Sequence, residues 1–223
     1  MTGFDTATAL LSERVSHLDT CALSDALDRL GLPGAIAGIG PMVTVERPVA
    51  GRVVTVDVVD RRDNMPRPHL GAQAIASAFP GDVIVVDHKG RLDVSAWGGL
   101  LSLAASKRGV RGVIVDGACR DIHEARSLGF PVFARAVVPV TARGRVVEQS
   151  WGDPILIAGV RVATGDLVIA DSNGIVFMEA ANAEAVVTLA EQIASREAAM
   201  ADAVIAGQSI VDVMHDNRFT EVK

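Results

Sequence analysis

The chain contains no tyrosine, two tryptophans and six phenylalanines in 223 residues. Large aromatic side chains therefore cannot dominate its interior, which has to be built from Val, Ile, Leu and Ala. Two cysteines, Cys21 and Cys119, form neither a CxxC pair nor a Cys/His cluster. Neither a disulfide framework nor a structural zinc site is expected on that ground. Basic residues form no long run, and 21 Lys/Arg against 27 Asp/Glu leave a formal charge of −6. Nucleic acid, which selects a basic stripe, is not an expected partner. No apolar stretch is long enough to cross a bilayer, and MTGFDTATAL lacks the basic and apolar regions of a signal peptide. The expectation is a cytoplasmic protein with no membrane partner.

What is present is a globular composition, 49% hydrophobic and 22% charged, with enough chain for a sizeable core. DTCALSDALDRLG (19–31) places Leu23, Ala26, Leu27 and Leu30 on one helical face. Asp19 or Thr20 can cap its start and Gly31 its end. GAIAGIG (34–40) has neither GxGxxG nor GK[ST] order and reads as a loop. Valine-rich strands are expected at 51–60 and 80–87, with a proline-broken loop at 61–68 and a helix at 69–79 between them. HKGR (88–91) turns the chain, and LDVSAW is expected to fold back as a hairpin. A glycine-opened helix covers 98–109, a buried strand 112–116, and a helix 122–129. Strands at 130–140 and 143–150 follow, and an alanine-rich helix spans 181–207. PGDVIVVDHKG (80–90) and TGDLVIADSNG (164–174) echo one another, which reads as shared turn chemistry rather than a duplicated domain. One mixed α/β domain with a valine-built sheet core accounts for the pattern.

Several chemistries drop out. There is no GxSxG elbow. His123-Glu124 opens like HExxH, but Ser127 stands at the second histidine, so His123 reads as a surface or capping residue. Cys119 beside Arg120 reads as a small buried thiol rather than a nucleophile. The remaining candidate is GVIVDGACRD (112–121), where a strand runs into Arg120-Asp121. That is the end at which open α/β sheets bind ligands. Gly117 is expected to make the turn, and the bland alternative has Asp121 capping the next helix with Arg120 solvated. WGGLL (97–101) adds a helix start whose exposed amides suit a carboxylate. An arginine fits the oxygen of a carboxylate or enolate, and one aspartate suffices for a largely hydrated Mg2+ or Mn2+.

The segment WGGLLSLAASKRGVRGVIVDGACRDIHEARSLGFPVFAR (97–135) resembles the core of the RraA-like family. That family includes the class II 4-hydroxy-4-methyl-2-oxoglutarate and 4-carboxy-4-hydroxy-2-oxoadipate aldolases. The similarity extends through most of residues 17–180, leaving a C-terminal helix and tail at 181–223. It implies a single swivelling β/β/α domain, assembled as homotrimers or homohexamers with sites at subunit interfaces. It also implies a divalent metal on Asp121, Arg120 on the keto oxygen of a small 2-oxo acid, and a carboxylate on the amides of Gly98, Gly99, Leu100 and Leu101. The implied chemistry is retro-aldol release of pyruvate, with oxaloacetate decarboxylation as a companion. Other members regulate ribonuclease E by binding it without evident catalysis, and these tend to lack the metal-binding aspartate.

One position departs from the aldolase pattern. Those enzymes carry an acid where this chain has Gly99. Asp93, Asp116 or an acid from a neighbouring subunit are the expected substitutes. Aldol cleavage needs a base for the hydroxyl proton, whereas decarboxylation does not. Decarboxylation is therefore expected to survive better.

Overall fold

The computed structural model describes residues 6–62 and 69–214. In chain order its helices are α1 (Thr6–Val15), α2 (Thr20–Leu30), α3 (Ala72–Ser77), α4 (Gly99–Arg108), α5 (Ile122–Ser127), α6 (Ala183–Ile205) and α7 (Ile210–Val213). Its strands are β1 (Ala35–Ile36), β2 (Gly40–Pro41), β3 (Val49–Asp60), β4 (Val83–Ser95), β5 (Gly112–Cys119) and β6 (Val132–Val137). They continue with β7 (Val146–Trp151), β8 (Ile155–Ile157), β9 (Val160–Val162), β10 (Leu167–Ala170) and β11 (Ile175–Met178).

Strands β3, β4, β5 and β6 pair in parallel, each joined to the next through a helix. The antiparallel strands extend this core, giving the order β1-β11-β10-β3-β4-β5-β6-β2 with β7 also on β3. Burial on both faces explains why these strands read as near-continuous valine runs. One face is covered by α3, α4 and α5 through Ala74, Ile75, Ala105 and Ala125, which meet Val54, Val56, Ile84, Val86, Val113 and Val115. The opposite face receives the separate β8–β9 hairpin through Ile155, Ile157 and Val162. A third cluster packs α2 and α6 against β10 and β11, with Leu23, Ala26 and Leu27 facing Val186, Val187 and Ala190. Each large aliphatic side chain buried this way contributes roughly 1.5–3 kcal/mol. The fold is a mixed α/β single domain with a mixed sheet, as the composition and spacing predict.

Local signals behave as their chemistry requires. Asp19 caps α2 by accepting the Ala22 N–H at 2.8 Å, and Gly31 ends it at φ +66°. The two echoed segments share their turns: Asp82 accepts the Phe79 N–H and Asp166 the Ala163 N–H, both at 2.8 Å. At the far ends Asp87 accepts from Lys89 N–H and Asp171 from Asn173 N–H. The strands between them differ, β4 being parallel to both neighbours and β10 antiparallel to both.

Four expectations need correction. Residues 88–96 do not form a hairpin. After Lys89 and Gly90, both at positive φ, the chain rejoins β5, pairing Arg91 with Gly117 and Ser95 with Ala118. The gain is burial of Val94 and Ala96 in the helix-covered core. The strand 112–116 runs on to Cys119, so Gly117 lies inside β5 and does not make the turn. Gly117 is glycine because His88 and Arg91 of the returning β4 press on it: a Cβ there would sit 2.6 Å from His88 Cδ2 and 2.9 Å from the Arg91 carbonyl oxygen. The loop 34–40 contributes two short edge strands, and β6 and β7 are shorter than 130–140 and 143–150. Most of the 61–68 loop and the tail beyond 214 lie outside the described residues.

Candidate active site

The return of β4 to β5 assembles the site. Past the Ser95–Ala118 pair, Ala96 N–H donates to Ala118 O at 2.9 Å, and Arg120 N–H donates to Trp97 O at 2.9 Å. The next link is a side chain: Gly99 N–H donates to Asp121 Oδ2 at 3.0 Å. WGGLL and CRD are thus zipped together, although some twenty residues and a whole helix lie between them. Trp97 fixes the corner, its indole N–H donating to Ser102 Oγ, which in turn donates to Gly98 O.

Asp121 departs from the capping reading. It occupies the N-cap position of α5 but makes no side-chain cap there, and its backbone sits in the left-handed region at φ 58°, ψ 38°. That conformation costs about 1 kcal/mol or more for a residue with a Cβ. It turns the carboxylate onto the start of α4 instead, where the helix dipole favours a negative charge. Arg120 Nε lies 3.2 Å from the same Oδ2. Both side chains are about one-third exposed, 37% for Arg120 and 33% for Asp121. An ion pair so open to water holds its partners only loosely. The pair uses Arg120 Nε alone, and the terminal guanidinium nitrogens make no hydrogen bond among the described residues.

The glycines at this start are set by space. A Cβ on Gly98 would meet Asp121 Oδ2 at 2.8 Å and Arg120 Nε at 3.3 Å. A Cβ on Gly99 would meet the Cβ atoms of Asp121 and Glu124, each at 3.2 Å. Of the four amides expected to hold a carboxylate, Gly99 N–H is occupied by Asp121. Those of Leu100 and Leu101 are first-turn donors with no acceptor inside the helix.

The two substitutes within the chain do not reach this place. Asp93 is exposed and held by Arg91 in a bidentate pair that keeps its carboxyl at about 2. Asp116 is buried on the opposite sheet face, paired with Arg135 and accepting Ala158 N–H. The acid standing against Gly99 is Glu124, on the first turn of α5. Its spacing of three from Asp121 was the available signal, since residues i and i+3 share a helix face.

Arg120, Asp121 and residues Gly98 to Leu101 line one cavity of about 470 Å³, together with Trp97, Ser95, His69, Arg61, Thr141 and Arg143. That volume suits a small molecule. The lining carries three arginines and one carboxylate, a positive chamber in an acidic protein. Sequence reading missed Arg61, His69 and Arg143, which come from the ends of distant segments. Cys119, just beneath, is buried, and burial pushes its thiol up to about 12, so it stays protonated. His123 is exposed on α5.

The divalent ion is tested by the donor set. Among the described residues no three His, Cys, Asp or Glu side chains converge. A closed protein cage is thereby excluded among them. A single carboxylate beside a cavity with room for water fits Mg2+ or Mn2+, which keep several waters and borrow further oxygens from substrate.

A family model described as Aldolase/RraA matches residues 20–177. Protein DlpA of Legionella pneumophila is 28% identical over 212 residues, which cover 95% of this chain but 34% of that protein, so the chain spans about a third of its length. A Halalkalibacterium halodurans protein named "Putative 4-hydroxy-4-methyl-2-oxoglutarate aldolase" is 32% identical over 201 residues, 88% of this chain and 91% of its own. The crystal structure of an uncharacterized protein from Pseudomonas syringae pv. tomato superposes with a TM-score of 0.83 at 27% identity, covering 96% of this chain and 99% of that one. The charged pair, the glycine-opened helix and the mixed sheet thus belong together: this chain is a member of the RraA-like family.

Proposed function

We propose that the protein is a divalent-metal-dependent lyase acting on short 2-oxo acids and releasing pyruvate through an enolate. The observation that carries this reading is the single cavity shared by Arg120, Asp121 and the open amides of α4. The substrate carboxylate would accept from Leu100 and Leu101 N–H. Arg120 would place its unused terminal nitrogens on the 2-oxo oxygen, where negative charge grows as the adjacent C–C bond breaks. Asp121 would hold the metal, which when bound acts as a Lewis acid toward the same oxygen. Trp97 and Leu70 wall off one side, lowering the local dielectric and strengthening these interactions. The names of relatives at about 30% identity favour a lyase. Apolar side chains exposed toward the C-terminus, Ile205, Ile210 and Val211, offer surface that further copies would cover in a trimer or hexamer.

The test is steady-state pyruvate release from oxaloacetate and from 4-hydroxy-4-methyl-2-oxoglutarate, with Mg2+ or Mn2+ and with chelator. Release should require metal, and oxaloacetate should be the better substrate because Gly99 provides no acid. Asp121→Asn, which keeps an acceptor for Gly99 N–H but loses the charge, should lower turnover by about 100-fold or more. No release from either substrate under any metal would sink the lyase and leave the protein-binding regulator as the better account.

A further inference from the structure

We propose that His69 is the proton-transfer residue of the cavity, with the buried Glu148 behind it as a positioning residue. The inference rests on the reading of the cavity as a 2-oxo acid site and supplies the base that Gly99 does not. Aldol cleavage moves a proton as well as electrons, so the site needs a side chain that takes and gives a proton near neutral pH. Among the described residues lining the cavity, the ionisable side chains are Arg61, His69, Arg120, Asp121 and Arg143. Arginine stays protonated throughout. Asp121 spends Oδ2 on Gly99 N–H and Arg120, and under that reading it holds the metal. Histidine remains, the residue type whose charge ordinarily changes between about pH 5 and 8.

His69 is fixed from several sides. Ala72 N–H donates to His69 O at 3.1 Å, closing the turn into α3. Leu70 is buried in the helix-covered core, and Gly71, at φ +75°, is so close to the next wall that a Cβ would sit 3.2 Å from Trp97 Cζ3. The histidine is thereby tied to the Trp97 corner that starts α4. On its ring, Nδ1 lies 3.3 Å from Leu70 O. A carbonyl oxygen only accepts, so this contact puts the ring proton on Nδ1 and leaves the lone pair on Nε2. Glu148, buried on β7, accepts Gly71 N–H at 2.7 Å. Burial pushes its carboxyl up, while the Gly71 N–H and the charge of His69 act in the opposite sense. A carboxylate in that place steadies the imidazolium that forms once a proton is taken. Arg61 after β3, Arg120 and Asp121 after β5, and Arg143 in the 142–145 turn complete the charges that line the cavity.

The step balances on these atoms. Nε2 takes the hydroxyl proton of a 4-hydroxy-2-oxo acid, and the O–H electron pair forms the new carbonyl. The C3–C4 pair moves into C2–C3, and the 2-oxo oxygen takes the negative charge that Arg120 meets. The imidazolium then returns its proton to C3, giving pyruvate and a neutral ring. On pyruvate itself the same nitrogen takes a methyl proton and gives one back, so in D2O the methyl group fills with deuterium. Oxaloacetate needs no proton removed: CO2 leaves, and the enolate draws its proton from water.

NMR of pyruvate with the full chain and Mg2+ in D2O reads that exchange directly. The wild-type rate should fall with acid across the ordinary histidine range. His69→Asn, whose amide keeps a donor for Leu70 O, should lose this acid limb and about 100-fold of the rate. Oxaloacetate decarboxylation by the same variant should fall far less, by under about tenfold. Glu148→Gln, which keeps an acceptor for Gly71 N–H but loses the charge, should move the limb to lower pH; a limb that stays in place removes Glu148 from the assignment. Unchanged exchange in His69→Asn, or equal losses of exchange and decarboxylation, which mark a structural role, overturns the proposal. A wild-type chain that decarboxylates oxaloacetate without exchanging pyruvate also overturns it and spares the lyase. A wild-type chain that does neither overturns both.

Discussion

At the carboxyl ends of β3, β4 and β5 the two faces of one sheet treat charge in opposite ways. Toward the β8–β9 hairpin, Asp57, Asp87 and Asp116 stand in register on neighbouring strands. Each is matched: Lys89 Nζ reaches Asp57 at 2.6 Å and also pairs with Asp87, and Arg135 pairs with Asp116, which also accepts Ala158 N–H at 2.8 Å. Toward the helices, Arg61, Arg120 and Arg143 line a cavity with one carboxylate, Asp121, which is spent largely on a backbone amide. A buried charge must be matched within the chain or it costs several kcal/mol. A charge beside a water-filled cavity is stabilised by solvent until a ligand replaces it. The matched row is therefore architecture, and the unmatched chamber is where we propose an anion binds.

That division can be broken from either side. Asp116→Ala should destabilise the fold most, by about 3 kcal/mol, since it strands Arg135 and the Ala158 amide; Arg135 keeps some water contact, which holds the loss near the lower end. Asp121→Asn, which under the proposed function should lower turnover, should change the denaturation midpoint little, and comparing urea curves of the two variants checks both. If Asp116→Ala were harmless and Asp121→Asn unfolded the chain, the assignment of the two faces would be reversed. Gly117→Ala comes next, at about 2 kcal/mol, because a methyl would push His88 and the returning β4 away from β5. Since that return zips WGGLL to Arg120, the variant should also lose ligand binding beyond its loss of stability.

At neutral pH the smallest effect concerns the cysteines. Burial raises the Cys119 thiol from about 9 to about 12. A raised folded-state value means that the unfolded chain releases this proton first. Its contribution to stability is therefore whole below about pH 9 and is lost as pH climbs toward about 12. Cys119→Ala should flatten the alkaline fall in stability over that window. In the native chain a thiol reagent at neutral pH should react with the exposed Cys21 and spare Cys119.

Much of this was legible in the residues, and the failures share a cause. Asp19 and Gly31 bracket α2 because capping is a matter of neighbouring residues. The valine runs announce buried strands, and WGGLL and Arg120-Asp121 are marked as candidate site segments by their own composition. The hairpin expected at 88–96 fails because local turn chemistry at Lys89-Gly90 says only that the chain bends, while burial of Val94 beside β5 decides where it goes. Asp121 was expected either to cap α5 or to hold a divalent metal. It caps α4 rather than α5, across a gap that no local rule spans.

The sequence by itself determined the elements, the valine core and the charged pair at a strand end, because propensity, patterning and capping act over a few residues. Only the tertiary structure decided which charges are matched. Arg61, His69 and Arg143 enter one chamber with Arg120 through strand order and a single β4 excursion. Asp93 and Asp116, near that chamber in sequence, face elsewhere. Electrostatic partnership depends on distances of a few ångströms between distant segments, and such distances exist only once the sheet has formed.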